Sequence, residues 1–65
     1  TGNLLSHCLI RSETGWTVVY NGATTTGNTA TNNTCQYEKG GAGFVASDGA
    51  SLGNQTFSGN TETAI

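Results

Sequence analysis

The sequence predicts an all-β domain, a small antiparallel meander or sandwich of roughly five to seven short strands held by one disulfide. Three observations predict it. Thr, Asn, Gly and Ser make up just over half of the 65 residues, and these residues suit strands and tight turns. Short segments rich in β-branched and aromatic residues recur between Gly-, Asn- and Asp-containing breaks, the spacing expected of short strands joined by turns. Two cysteines, Cys8 and Cys35, stand in a chain with little apolar material, where one disulfide is the usual staple.

Each element follows from its residues. Leu4–Arg11 alternates and reads as a strand, with Ser12–Gly15 as the turn after it. Trp16–Asn21 is the clearest strand: Trp16, Val18 and Tyr20 alternate with Thr17, Val19 and Asn21. Asn21-Gly22 is a strong hairpin signal, so the chain is expected to fold back through Ala23–Thr26. Residues 27–34 read as a Thr-rich edge strand or a long exposed loop. Thr34–Glu38 is a short strand. Lys39-Gly40-Gly41-Ala42-Gly43 is a flexible turn, Phe44–Ser47 a strand and Asp48-Gly49 a second hairpin turn, with Ala50–Leu52 pairing back. Gln55–Phe57 and Thr61–Ile65 complete the set. Gly53-Asn54 and Gly59-Asn60 punctuate the tail without making a repeat. Residues 1–65 form one domain.

Strand phase divides the apolar residues into two sets. Leu4, Cys8, Ile10, Trp16, Val18, Tyr20, Cys35, Tyr37, Phe44 and Ala46 fall on one side. A Cys8–Cys35 bond would tie the first strand to the fourth on that side and stabilise the fold by about 3–4 kcal/mol. Leu5, Leu9, Val19 and Val45 fall on the other, where a sheet with one wet face should be polar. These four are a candidate interaction face, unless Leu52, Phe57 and Ile65 cover it as a lid.

Composition excludes several functions. Two Lys and Arg against four Asp and Glu give a net charge of -2, too little positive charge to hold nucleic-acid phosphates. No stretch approaches the roughly 18 apolar residues of a membrane-spanning helix. A closed zinc site needs about four ligands with Cys-x-x-Cys-like spacing, which is absent, and no cofactor is implied. His7 is flanked by Ser6 and Cys8, but neighbours in a strand point to opposite faces, which argues against a nucleophile–base pair. Glu13, Glu38, Asp48 and Glu62 are isolated, in turns or at strand ends. The Lys39–Gly43 run lacks the Gly-Lys-Ser/Thr order of a phosphate loop. No catalytic set emerges, and the chain reads as a non-enzyme.

Other motifs point to surface chemistry. Asn32-Asn33-Thr34 and Asn54-Gln55-Thr56 fit the glycosylation acceptor pattern at Asn32 and Asn54. Thr24-Thr25-Thr26 and Thr29-Ala30-Thr31 hold Thr-x-Thr pairs such as occur in β-solenoid ice-binding proteins, but a solenoid needs a coil length repeated several times. A disulfide implies an oxidising compartment, so the expected location is extracellular or the cell surface, with Thr1 a processed end. Trp16-Thr17-Val18-Val19-Tyr20-Asn21-Gly22 with Cys8 and Cys35 resembles, at class level, the globular β-domain of type IV pilins and pseudopilins. The apolar N-terminal helix and processing motif of that family are absent from the sequence. The resemblance implies a structural or assembly subunit of a surface filament that acts through contact with a protein partner or with itself. The alternative is a small secreted, disulfide-stapled binding protein: a toxin, effector or inhibitor.

Overall fold

The computed structural model describes the whole chain, Thr1–Ile65. It has eight strands: β1 (Leu4–Ser6), β2 (Leu9–Arg11), β3 (Val18–Asn21), β4 (Thr29–Thr31), β5 (Thr34–Tyr37), β6 (Phe44–Ser47), β7 (Thr56–Ser58) and β8 (Thr61–Ala64). A single 3-10 turn, Leu52–Asn54, precedes β7. All the pairings are parallel, and each strand pairs with the one three places later in the chain. The sheets are β1-β4-β7, β2-β5-β8 and β3-β6. The chain therefore visits three faces in turn and then stacks on itself. It is a β-solenoid whose coil returns after 25 residues from Leu4 to Thr29, then after 27 from Thr29 to Thr56.

This corrects the expected antiparallel meander. The all-β class and several strand positions agree, but the connectivity does not. Asp48 and Gly49 both have positive φ (52° and 90°), and the Ala50 N–H donates to the Ser47 carbonyl at 3.1 Å. The turn forms as its chemistry requires. The chain leaving it, however, runs on through the 3-10 turn to another face instead of pairing back. Residues 22–28 do the same after Asn21, where the Thr25 N–H donates to the Gly22 carbonyl at 3.0 Å. Thr29–Thr31 is the central strand of its sheet, neither an edge strand nor a loop.

The expected first strand is two strands broken by a corner. His7 has φ 55°, and a left-handed residue ends the alternation. Asn32 (φ 55°) and Gly59 (φ 68°) occupy the same corner in the next two coils. The break moves Leu4 to the outside, where it is 69 % exposed, and turns Leu5 inward against the core. The core is small: Tyr20, Ala30, Cys35 and Phe44, flanked by Leu5, Val18, Ala46, Ala50 and Phe57. Phe57 joins it through its ring, with its centroid 5.0 Å from that of Phe44 and 5.9 Å from that of Tyr20.

Both cysteines are free thiols, so the expected disulfide is absent. The coil register explains this. Cys35 lies in β5 directly over Ile10 and is fully buried. Cys8 precedes β2 at the corner, beneath Asn33, and its thiol donates to the Ser6 carbonyl at 3.4 Å. The two sulfurs belong to different columns of the stack. With the disulfide goes the ground for an oxidising compartment.

Candidate functional site

Two columns of side-chain amides set the geometry of the solenoid and of its ends. In the first, the backbone N–H and the Nδ2 of Asn3 both donate to Asn28 Oδ1 at 3.1 Å. The same two groups of Asn28 donate to Gln55 Oε1 at 3.0 Å. In the second, the Cys8 N–H donates to Asn33 Oδ1, and the Asn33 N–H and Nδ2 donate to Asn60 Oδ1, all at 3.0 Å. Asn28, Asn33 and Gln55 are buried, and no buried side-chain polar atom lacks a partner. A buried amide with every group paired orders its surroundings, whereas one left unpaired is costly.

In both columns, donors of one coil face the acceptor of the next coil along the chain. The two ends of the stack are therefore chemically different. Gln55 closes its column: the longer side chain turns Nε2 away to the Thr25 and Ser51 carbonyls, at 2.5 and 3.2 Å. From the sequence, Asn28 falls in an edge strand or loop, Asn33 in an acceptor motif and Asn60 in a break. The signal that sequence reading missed is positional: Gly2-Asn3, Gly27-Asn28 and Asn54-Gln55 recur at the coil length, as do Leu5…Cys8, Ala30…Asn33 and Phe57…Asn60. The chain does contain a repeat, carried by position and not by identity.

The outer edges of the sheets are the candidate site. β1, β2 and β3 have no neighbour on the N-terminal side of the stack, and β7, β8 and β6 have none on the C-terminal side. Such edges present rows of N–H and C=O groups able to pair with another chain. At the C-terminal end a hollow of about 560 Å³ opens among Phe44, Leu52, Phe57, Asn60 and Glu62. Glu62 stands in register with the buried Cys35, and its Oε1 accepts the Gly43 N–H at 2.9 Å. It is an exposed carboxylate at the C-terminal end of the stack, fixed by its bond from the Gly43 N–H.

Within the Lys39–Gly43 turn, Gly41–Gly43 pack closely against the neighbouring coil, while Lys39 and Gly40 are exposed. The Ala42 N–H donates to the Gly15 carbonyl at 2.9 Å, and a Cβ on Gly41 would overlap that same carbonyl. A Cβ on Gly43 would come within 2.8 Å of Glu62 Cγ.

Of the four residues of the expected interaction face, Leu5 packs against the core, and it and Val19 line one hollow. Val19 stands in register with Val45 in β3-β6, and Leu9 is 70 % exposed in β2. Ser6 and His7, expected to point apart, meet: Ser6 Oγ and His7 Nδ1 lie 2.5 Å from one another, and Thr31 Oγ1 donates to Ser6 Oγ at 3.3 Å. The left-handed backbone of His7 swings its ring back to its neighbour. The pair sits at an exposed corner, and the hydrogen bonds that hold it come from hydroxyls. A catalytic pair of this kind requires its histidine to be oriented by a third group.

Burial pushes the Tyr20 phenol above the ordinary tyrosine value, and the nearby Cys35 adds to the shift. Comparison of the chain with protein families, with curated proteins and with solved structures gave no match. No helix is long and apolar enough to cross a membrane.

Proposed function

We propose that this chain is a non-catalytic structural element that works by protein–protein contact, joining an assembly through the strand edges at the ends of its solenoid. One observation supports the reading: within residues 1–65 the outermost strands of the three parallel stacks each have a strand neighbour on one side only, with the 3-10 turn packed beside β6. The directional amide columns add polarity. Stacking that continues them runs head to tail, and head-to-tail contacts propagate into open filaments unless they close into a ring.

Sedimentation velocity across a wide concentration range tests the proposal. The expected result is concentration-dependent association, with oriented assemblies diffracting at the inter-strand spacing of about 4.8 Å. A strictly monomeric chain at about 1 mM would overturn it, since weak contacts of this type are populated at that concentration.

A further inference from the structure

One asparagine of the chain is followed by glycine: Asn21-Gly22, at the end of β3. The asparagines divide by what holds their amides. Asn3, Asn28, Asn33 and Asn60 use theirs to bridge coils. Asn21, Asn32 and Asn54 are exposed, and their side-chain amides make no hydrogen bond within the chain.

A free asparagine amide is open to attack on its carbonyl carbon by the main-chain nitrogen of the next residue. Here the bond from the Gly22 nitrogen to Asn21 Cγ forms and the Cγ–Nδ2 bond breaks. Ammonia leaves, carrying the proton that the Gly22 nitrogen loses. Water then opens the five-membered imide at either carbonyl. One product is aspartate; the other is isoaspartate, in which the main chain runs through the former side chain. The balance is asparagine plus water giving acid plus ammonia, so water is the co-reactant. A side chain on the following residue crowds the attacking nitrogen. Asn32 and Asn54 are followed by Asn33 and Gln55, whereas Gly22 has no Cβ to obstruct the approach.

The fold restrains this reaction at the peptide unit that performs it. The Gly22 N–H donates to the Ser47 carbonyl at 3.0 Å, continuing the β3-β6 ladder past the last residue of β3. The Asn21 carbonyl accepts from the Thr25 hydroxyl at 2.6 Å. Both polar atoms of the Asn21–Gly22 peptide are therefore held. The extended backbone of Asn21 must rotate about ψ to bring the Gly22 nitrogen onto Cγ, and that rotation breaks both bonds. They lie at the end of a two-stranded sheet, and local opening is easiest at such frayed ends.

We infer that Asn21 is a deamidation site gated by the β3-β6 ladder, converted to aspartate and isoaspartate through the open form of the Asn21–Gly22 peptide. Isoaspartate adds a main-chain carbon at the end of β3, so that product cannot regain the register of Asn21 with Ser47. Each conversion also adds a negative charge to a chain of net charge -2.

The test is intact mass and peptide mapping of the full chain during long incubation at mildly alkaline pH. Three samples run in parallel: the native protein, the protein unfolded in urea, and Thr25→Val, which loses the hydroxyl bond to Asn21 and keeps a branched side chain. Hydrogen exchange at the Gly22 amide reads the opening in each. The expected result is an amide-to-acid mass gain that maps to Asn21. The unfolded chain should convert roughly fivefold to a hundredfold faster than the native one, and T25V roughly twofold to tenfold faster, given the worth of the bonds that must open. Conversion should rise with Gly22 exchange across the samples. Asn21→Gln would need a larger ring and should abolish the first mass gain. Equal rates in the native and unfolded chains, an unchanged rate in T25V, earlier conversion at Asn32 or Asn54, or an undiminished mass gain in N21Q would each overturn the inference.

Discussion

Asn33 and Asn60 are joined by a pair of hydrogen bonds, from the Asn33 backbone N–H and from its Nδ2, that converge on one oxygen, Asn60 Oδ1. Asn33 is fully buried. Its Oδ1 holds the Cys8 N–H of the coil before it, and its Nδ2 also reaches the Leu5 carbonyl at 3.0 Å. One side chain therefore fastens three successive coils at the corner where strands end and backbone groups would otherwise go unpaired.

Asn33→Ala is expected to destabilise the fold by about 2–4 kcal/mol, because it leaves the Cys8 N–H without its acceptor in a buried place and removes the Nδ2 bonds to Asn60 Oδ1 and the Leu5 carbonyl. Small domains have total stabilities of only about 5 kcal/mol, so the variant should keep only about 1–3 kcal/mol and unfold at a much lower urea concentration. Asn32→Ala, one residue away and exposed, is the control and should cost about 1 kcal/mol for its left-handed backbone. Urea unfolding of the two variants separates them, and equal midpoints would mean that the amide column does not hold the coils.

How much of this was legible in the sequence depends on whether a residue acts locally. Phe44–Ser47 forms where its β-branched and aromatic residues indicate, and Asp48-Gly49 turns where its positive φ is needed. Both depend on near neighbours. The direction taken after a turn depends on partners 25 to 27 residues away, and no short window contains them. The asparagines misled for the same reason. Asn28 and Asn33 sit where turn chemistry allows, but their amides are satisfied by other coils. Cys8 and Cys35 showed composition without register, and register keeps them apart. In the candidate site, the identity of Glu62 was readable, whereas its bond from the Gly43 N–H follows only from its alignment with Cys35.

Gly59→Ala should be costly at a position that the sequence presents as an ordinary break in the tail. The residue has φ 68°, and an added Cβ would meet the Asn32 side-chain oxygen of the coil beneath. The left-handed backbone alone disfavours alanine by about 1–2 kcal/mol, and the exposed Asn32 side chain must also shift to make room, a smaller addition. Gly2→Ala shares the positive φ, but its Cβ would meet open space, so it should lose the backbone part only. Thermal melts of the two variants should rank Gly59→Ala lower. The reverse order would contradict the corner stacking.

The thiols offer a direct check on the register. Cys35 is fully buried, whereas Cys8 is half-buried at a corner. A thiol reagent should label Cys8 first under native conditions and reach Cys35 only on unfolding. Reductant should leave the melting temperature unchanged, because there is no disulfide to break. A drop in melting temperature with reductant, or protection of both cysteines in denaturant, would restore the bond that the structure excludes.

Alkaline pH probes the core through Tyr20, whose phenol titrates above the ordinary value because burial disfavours its anion. The sign follows from proton linkage. Above the unfolded value of about 10, the unfolded chain loses this proton while the folded chain keeps it, so the folded state binds more protons and stability falls as pH rises. The contribution is fully present below about pH 10 and is lost progressively as pH climbs through the raised folded value. Tyr20→Phe keeps the ring against Phe57 and removes the titrating group. Its stability should therefore decline less steeply than the parent's between about pH 9 and 11, measured by denaturant midpoints at each pH. Parallel declines in the two proteins would place the alkaline sensitivity elsewhere and would remove Tyr20 as the group that couples core burial to pH.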